Sequence, residues 1–308
     1  MKVSIRKNRN SGKSEIFFDS KKIASTSKTG TELERVVEYH YRKNTGTKMD
    51  FTTIVGAVAD SKNEPQFDIN TRFSFVEKLV KMVAAGVQPS AVITGEGGLG
   101  KTYTVSKTLE SAGYKDISDL SDFAAGTILL KSKCFTTVKG YSTPKGLYRT
   151  LFENNNSVIV FDDCDSVLRD PVALNLLKGA LDSYGKRIIS WNADLKDDDL
   201  PRSFRFEGRV IFISNLDQYA IDQAIRSRSM MIDLSMTTEQ KIDRMEFIAK
   251  SEEFMPEYNE EVKADSIALI RELKESAKEI SLRTLISVCK IRATNDDWKE
   301  MASYILTV

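Results

Sequence analysis

Short apolar runs alternate with helical patterns through the middle of the chain. The runs occupy residues 91–93, 135–138, 158–161 and 210–213, and an amphipathic helical pattern over 73–83 precedes the first of them. Such alternation is typical of a mostly parallel sheet with helices on both faces, because each pair of neighbouring parallel strands needs a crossover connection. We therefore predict an α/β fold with three layers, αβα, in this part of the chain.

The two ends of the chain have different patterns. Apolar positions at 3–5 and 15–18 predict short strands, a helical pattern follows over 32–42, and the polar stretch 60–65 contains a proline, as linkers often do. After residue 236 the strand patterns stop, and helices are predicted near 238–250, 260–279, 282–293 and 296–306, with Ser281 placed to cap one of them. We predict a small N-terminal α+β unit over 1–66, a core over 67–235 and an all-helical lid over 236–308.

Composition narrows the classes of protein that fit. The 308 residues are 41% hydrophobic, which is enough for one large core and smaller units. The 45 basic and 44 acidic residues leave a net charge of +1, which argues against a passive polycation. The single histidine, His40, excludes most histidine-based metal sites and catalytic triads.

The cysteines and the hydropathy bear on location. The three cysteines, Cys134, Cys164 and Cys289, lie far apart without metal-ligand spacing, as expected for buried free thiols in a reducing compartment. No apolar stretch approaches the roughly 18 to 20 residues that span a bilayer, and the basic N-terminus leads into no apolar segment. We expect no membrane partner and a cytoplasmic protein, or a nuclear one if the source has a nucleus.

A glycine-rich segment carries the strongest chemical signal. Residues 95–102 match G-x-x-x-x-G-K-[ST], the phosphate-binding loop, and they lie between a predicted strand and a predicted helix. The glycines let several N–H groups point at one anion, the lysine adds a charge, and the final hydroxyl can bind Mg²⁺. The alternative, a glycine-rich turn that matches by chance, does not explain the flanking elements. The candidate residues for binding ATP are Gly95, Glu96, Gly97, Gly98, Leu99, Gly100, Lys101, Thr102 and Tyr103.

A second signal is an apolar strand that ends in two carboxylates, Asp162 and Asp163. Beside a phosphate loop, Asp162 and Thr102 could hold Mg²⁺, and Asp163 could orient or deprotonate the attacking water. The interval from Lys101 contains a further helix and strand, which suggests that a strand lies between the two motif strands in the sheet. The alternative is that both aspartates only cap the next helix. Because aspartate is one methylene shorter than glutamate, a slow base also remains open.

The strand 210–213 ends in a polar pair, Ser214 and Asn215, and here the chain resembles the AAA+ ATPases. The resemblance covers residues 67–306, and within the family the chain is similar to small AAA+ ATPases of bacteriophages and other mobile elements. It implies an additional-strand P-loop NTPase core in which Asn215 helps to position the water. It also implies a homo-oligomeric ring, a hexamer in many members of the family.

The resemblance assigns roles to three arginines. The segment around Arg226 and Arg228 resembles the one that supplies an arginine finger in trans to a neighbouring subunit, and Arg228 is the first choice. Arg283, after Ser281, resembles the sensor-2 arginine, which faces the nucleotide from the lid of the same subunit. The alternatives are surface arginines that pair with acids, and an ordinary amphipathic helix.

Two features bear on the substrate. Lys139, Gly140 and Tyr141 resemble a pore loop that could grip a threaded polymer, although an ordinary turn is an equal alternative. Two predicted strands, 187–191 and 204–206, enclose an acidic loop, 194–199, which is poorly suited to phosphates and weakens a helicase analogy.

The N-terminal unit is basic, and its basic residues either contact nucleic acid or form a solvated face. We expect an ATPase that moves or remodels a polymer, with DNA slightly favoured over protein. The alternatives are a protein-remodelling ATPase and a slowly hydrolysing switch or loader.

Overall fold

The computed structural model describes residues 3–7, 14–18, 21–27, 30–45, 67–118, 133–182, 185–192 and 200–308. The chain divides into two compact units, and the division falls between Phe67 and Asp68. The predicted linker at 60–65 and the acidic loop 194–199 lie outside the described residues.

The N-terminal unit is a three-stranded antiparallel sheet with one helix. Strands β1 (Val3–Lys7), β2 (Ser14–Phe18) and β3 (Lys21–Thr26) pair in that order, and helix α1 (Gly30–Thr45) follows. Ile16, Phe18 and Val37 form its small core. The predicted strands and helix are present, but the sequence analysis missed β3, because in this basic and polar segment Ile23 is the one large apolar side chain.

The second unit is built on a six-stranded parallel sheet. Its strands are β4 (Ser90–Thr94), β5 (Lys115–Asp116), β6 (Cys134–Lys139), β7 (Val158–Asp162), β10 (Arg209–Ser214) and β11 (Met230–Asp233). They lie in the order β11-β4-β10-β7-β6-β5, and every adjacent pair is parallel. A separate antiparallel pair, β8 (Ile188–Ser190) with β9 (Ser203–Arg205), matches the predicted hairpin strands.

Helices cover both faces of this sheet. The helices are α2 (Ile69–Ala84), α3 (Lys101–Ser111), α4 (Pro144–Glu153), α5 (Pro171–Ala180), α6 (Gln223–Arg226), α7 (Thr238–Ala249), α8 (Glu260–Glu272), α9 (Leu282–Thr294) and α10 (Trp298–Thr307). Alternate residues of a strand enter different cores: Val158 and Val160 join one, and Ile159 and Phe161 join the other. Burial on both faces explains why these strands are continuous apolar runs. The predicted α/β class with a parallel sheet flanked by helices is confirmed.

The order of the strands corrects one detail of the sequence analysis. A strand does lie between β4, which precedes the glycine-rich loop, and β7, which ends in Asp162, but that strand is β10. The strand in the sequence interval, β6, pairs with the other side of β7. Sequence order alone could not distinguish these arrangements, because β10 enters the sheet from later in the chain.

The chain from residue 234 to residue 308, all of it described, contains four helices and no strand. Helix α8 ends at Glu272, although its pattern predicted helix to residue 279. The chain leaves the helix there because Leu273 and Ala277 pack against the core and the Lys278 N–H donates to the Leu306 carbonyl at 2.9 Å. The three cysteines are buried and free, as predicted. Among the described helices, none is both long enough and apolar enough to cross a bilayer.

Candidate functional site

Three motif strands end side by side at the carboxyl edge of the parallel sheet. Thr94 of β4 pairs with Ser214 of β10, and Ile213 of β10 pairs with Asp162 of β7. In open α/β sheets this edge, next to a change in strand order, is where ligands bind. The glycine-rich loop, the two aspartates and Asn215 therefore meet at one place.

The loop backbone depends on glycine at defined positions. Gly95, Gly98 and Gly100 have positive φ angles of 135°, 76° and 94°, a region that other residues rarely adopt. A Cβ atom at Gly95 would lie 2.8 Å from the carbonyl carbon of Leu234. Gly100 caps α3 without a side-chain hydrogen bond. The first N–H groups of α3 have no partners within the helix, so they can bind an anion there.

Lys101 lies under the loop with its side chain directed at the strand ends. It is 5% exposed, and its ammonium donates to the carbonyls of Gly95 and Glu96 and, at 2.9 Å, to Oδ1 of Asn215. Burial lowers the pKa of Lys101, while the charges of Asp163 and Asp162 oppose that shift. A bound phosphate would supply the counter-charge that this buried ammonium needs.

Thr102 and Asp162 are in direct contact. The hydroxyl of Thr102 donates to Oδ1 of Asp162 at 2.9 Å. On the other side, the ammonium of Lys139 lies 3.9 Å from Oδ2 of Asp162. Burial raises the pKa of Asp162, and the hydrogen bond from Thr102 opposes that shift. The buried carboxylate and the adjacent hydroxyl of Thr102 could bind a cation, whose charge would then take the place of the Lys139 ammonium beside Asp162.

Asp163 and Asn215 form the next contact along this edge. Nδ2 of Asn215 donates to Oδ1 of Asp163 at 2.8 Å, and the Asp163 N–H donates to the Ile213 carbonyl at 3.1 Å. Asp163 has a φ of 52°, in the left-handed region that a residue with a side chain adopts at a cost. The carboxylate is thereby held toward the exposed side of the site, while Asp162 is buried.

The C-terminal helices contact the loop at two points. The N–H of Leu282, the first residue of α9, donates to the Gly98 carbonyl at 2.8 Å. On α7, Lys241 forms an ion pair with Glu96. Arg283 is the second residue of α9 and is exposed. These contacts bring the predicted sensor-2 segment to the glycine-rich loop, although none connects Arg283 itself to the loop within the described residues.

A cavity of about 520 Å³ opens beside Gly100. Helices α2, α3, α7 and α9 form its walls, and Tyr103, Phe247, Ile248 and Leu282 are among the lining residues. Tyr103 and Lys107 of α3 both donate hydrogen bonds to Glu253, which follows α7. The cavity is therefore partly apolar, with charged groups at its rim.

Arg228 lies at the other edge of the sheet, where β4 and β11 begin, whereas Gly140 and Tyr141 directly follow Lys139. Arg226 ends α6, and Arg228 donates to the Ala224 carbonyl at 3.1 Å. Neither arginine forms an ion pair within the described residues, and the Nε atoms of both are buried without a partner there. Gly140 has a φ of 82°, and Tyr141 is 80% exposed at the end of β6.

The sequence analysis proposed the loop, the aspartates and Asn215 as candidates, and the structure brings them together. It did not predict several residues that contact them. It gave Lys139 a role in a pore loop only, whereas strand pairing aligns Lys139 with Asp162. It did not single out Lys241, and it named Ser214 only as part of a polar pair, whereas the Ser214 hydroxyl donates to Asp165 at 2.6 Å. Pairing of β6 with β7 is the signal that would have identified Lys139. No local pattern marks the other contacts.

The oxygen ligands present fit Mg²⁺. Within the described residues no group of three or more histidine, cysteine or acidic side chains forms a protein-only metal site. Mg²⁺ does not need one, because it keeps several waters and usually binds one or two carboxylates together with substrate phosphates. Thr102 and Asp162 provide one hydroxyl and one carboxylate.

The parallel sheet with helices on both faces makes the chain an α/β protein. No protein-family model matches it. It is 30% identical over 268 residues to a protein of Enterobacteria phage T4 called "Uncharacterized 36.7 kDa protein in nrdC-mobD intergenic region", a match that spans 81% of this chain and 78% of the phage protein. The chain belongs to the same family as this T4 protein.

Proposed function

We propose that the protein is an AAA+ ATPase, with a P-loop core and a C-terminal helical lid, that hydrolyses ATP in a homo-oligomeric ring. The observation that carries this proposal is the hydrogen bond of 2.9 Å from Thr102 to Asp162. It joins the last residue of the loop motif to the first carboxylate of the strand motif, which are distant in sequence. A chance glycine-rich turn would not need a buried aspartate against its final hydroxyl.

Each residue of the cluster has a role in this proposal. The triphosphate lies against the loop N–H groups and Lys101, while Thr102 and Asp162 hold Mg²⁺. Bound Mg²⁺ neutralises charge on the phosphates. Asp163 accepts the proton of the attacking water, and Asn215 holds that carboxylate in place. The strand β10 between β4 and β7 supports the additional-strand type of P-loop core that the resemblance implies.

The cavity beside Gly100 supports a nucleotide rather than an inorganic phosphate as the ligand. Its volume of about 520 Å³ lies within the range of small-molecule sites, and its aromatic and aliphatic lining suits a flat base. The C-terminal helices complete the cavity and also contact the loop at Gly98 and Glu96. The C-terminal helices therefore act as the lid of the nucleotide site.

Arg226 and Arg228, which form no ion pair within the described residues, support assembly. Arg228, and Arg226 as second choice, would reach the nucleotide of a neighbouring subunit and stabilise charge on the transferring phosphoryl group. Exposed Tyr141 would face the polymer that the ring moves. The phage relative is in keeping with the likeness to bacteriophage ATPases.

The proposal is tested by ATP turnover with Mg²⁺ for the wild type, Lys101→Ala and Asp163→Asn. Steady turnover that both substitutions abolish supports it. If the wild type neither binds nor hydrolyses ATP, the proposal is wrong. Comparison of single-stranded DNA, duplex DNA and unfolded protein as stimulators of turnover would then identify the polymer. A DNA substrate also predicts binding that weakens steeply with salt.

One observation favours a second function, a slowly hydrolysing switch or loader. The side chain of Asp163 is one methylene shorter than that of glutamate, and its carboxylate accepts a hydrogen bond from Asn215. Binding of ATP would then drive assembly on a partner, with hydrolysis as a slow reset. Turnover below about one ATP per minute with intact binding, far below the usual enzyme range, would favour this function.

A further inference from the structure

Arg244 is a buried cation on the wall of the cavity beside Gly100. It lies on α7, is 7% exposed, and lines the cavity together with residues of α3 and α9. Its guanidinium carbon lies 3.7 Å from the centre of the Phe73 ring and 5.3 Å from that of Phe247. Both distances are within the range of cation–π contacts, so the rings attract the charged group and hold it at the cavity wall.

Within the described residues, few of the donors of Arg244 have a partner. Nη1 donates to Oδ1 of Asn70 at 2.9 Å, whereas Nε is buried and has no partner within the described residues. The ion pairs of the described residues include none to Arg244. Burial lowers the pKa of Arg244 to about 10, with the charge of Glu77 opposing the shift, so the group is still charged at neutral pH. A buried charge without a counter-ion is costly unless a ligand or partner compensates it.

Arg72 provides a contrast within the same unit. It is equally buried, but its guanidinium donates to the carbonyls of Asp233 and Ser235 and to Oε1 of Gln240. These bonds join α2 to the chain that follows β11. Nε of Arg72 also has no partner within the described residues, but its two Nη groups have three acceptors, whereas those of Arg244 have one there. Arg72 therefore has a structural role that accounts for its burial, and Arg244 has more donors available for a ligand.

The position of the cavity decides which part of a nucleotide would reach Arg244. The cavity is lined by Gly100 and, farther along α3, by Thr104 and Thr108. Thr108 lies about 10 Å along the helix axis from Lys101, at a rise of about 1.5 Å per residue. With the triphosphate at the N-terminus of α3, the cavity receives the opposite end of the nucleotide, which is the nucleoside.

We infer that Arg244 is a nucleoside-binding residue, which donates hydrogen bonds to acceptor atoms of the base. This inference rests on the proposed function. The aromatic and aliphatic lining encloses the flat ring, and Arg244 supplies the polar contact that orients it. Lys101, at the other end of the site, serves the phosphates. Arg244 thus contributes to the preference for a nucleotide over free polyphosphate.

The test compares dissociation constants for ATP, ribose 5-triphosphate and inorganic tripolyphosphate, measured by calorimetry for the wild type and for Arg244→Lys and Arg244→Gln. We expect both variants to bind ATP about ten- to a hundredfold more weakly, as for the loss of a hydrogen bond to a charged group. Affinity for the two ligands that lack the base should change less than about threefold. In steady-state turnover KM should rise with little change in kcat, because a contact to the base is equally strong in the ground state and in the transition state.

Arg72→Lys is the matched control, since it makes the same change at an equally buried arginine. It should lower the melting temperature without changing the ratio of ATP to tripolyphosphate affinity. If the Arg244 variants bind ATP as the wild type does, or weaken all three ligands equally, the inference is wrong. An equal loss for ATP and ribose 5-triphosphate would place the contact at the sugar and overturn the base assignment. Failure of the wild type to bind ATP would instead contradict the proposed function.

Discussion

Asn215 donates a hydrogen bond of 2.8 Å from its amide to the carboxylate of Asp163. The oxygen of the same amide accepts from Lys101 at 2.9 Å. One side chain at the end of β10 therefore connects the cation of the loop with the second carboxylate of β7. Lys101 begins α3, while Asp163 and Asn215 directly follow the adjacent strands β7 and β10. The amide of Asn215 thus fixes the spacing between a positive and a negative group.

Asn215→Ala should slow hydrolysis more than it weakens binding. Loss of one preorganised polar group at a reacting centre typically costs about 100- to 1,000-fold in kcat. The dissociation constant for ATP should change by less than about tenfold, because Lys101 retains its charge. Single-turnover hydrolysis and equilibrium binding would separate the two effects.

Asn259→Ala is the control for this change. Asn259 caps α8 through its side chain, so its loss should cost about 1 kcal/mol of stability without effect on turnover. Normal turnover by Asn215→Ala would contradict the role of Asn215.

Gly98→Ala should disturb the contact between the loop and α9. A Cβ atom at Gly98 would lie 3.0 Å from Cβ of Ser281, next to the hydrogen bond from Leu282 to the Gly98 carbonyl. We expect weaker ATP binding and a lower melting temperature, because the N-terminus of α9 must move away.

Gly113→Ala separates backbone strain from this steric effect. Gly113 has a similar φ of 83°, but a Cβ atom there would have no atom within 4 Å. Both substitutions should cost roughly 1–2 kcal/mol for the left-handed backbone. If Gly113→Ala weakens ATP binding as much as Gly98→Ala does, the contact with Ser281 is not the cause.

Asp163→Gly should be more stable than Asp163→Ala, and both variants should lose turnover. Both substitutions remove the carboxylate that accepts from Asn215 and compensates Lys101, but only glycine also relieves the left-handed backbone conformation. Relief of such strain is worth on the order of 1 kcal/mol. Urea denaturation and ATP turnover of the same preparation would measure both effects.

Asn156→Gly is a matched change at a distance from the site. Asn156 has a φ of 73° in the turn before β7. Asn156→Gly should change the free energy of unfolding little, because asparagine tolerates this conformation, and it should keep normal turnover. If Asp163→Gly is no more stable than Asp163→Ala, the backbone at this position stores no strain.

Arg228→Ala should abolish turnover and spare ATP binding. If Arg228 acts in trans, its loss removes a cation that typically contributes about 1,000-fold or more to kcat. Mixing the variant with wild type should reduce activity by more than dilution does, because each mixed ring contains defective interfaces.

Arg205→Ala is the control, since Arg205 is an exposed arginine that forms an ion pair with Glu207 at 3.3 Å. It should leave turnover unchanged. Normal activity of Arg228→Ala would exclude it as the finger, and Arg226→Ala would then be the variant to measure.

The amino-acid sequence by itself determined the elements and the chemistry that each one presents. Strands buried on both faces are apolar runs, and the glycine-rich loop needs its residues at fixed local spacing. For the same reason the positions of Lys101, Asp162 and Asn215 at the ends of elements could be predicted. These are local properties, because they depend on residues within one strand, loop or helix.

Only the tertiary structure decided which elements are neighbours. It placed β10 between β4 and β7, and it brought Lys139 to Asp162 and α9 to Gly98. It also ended α8 early and formed the cavity that Arg244 lines. No spacing in the chain encodes these contacts, because each depends on the pairing and packing of segments far apart in sequence, where the burial of apolar faces against one another decides the arrangement.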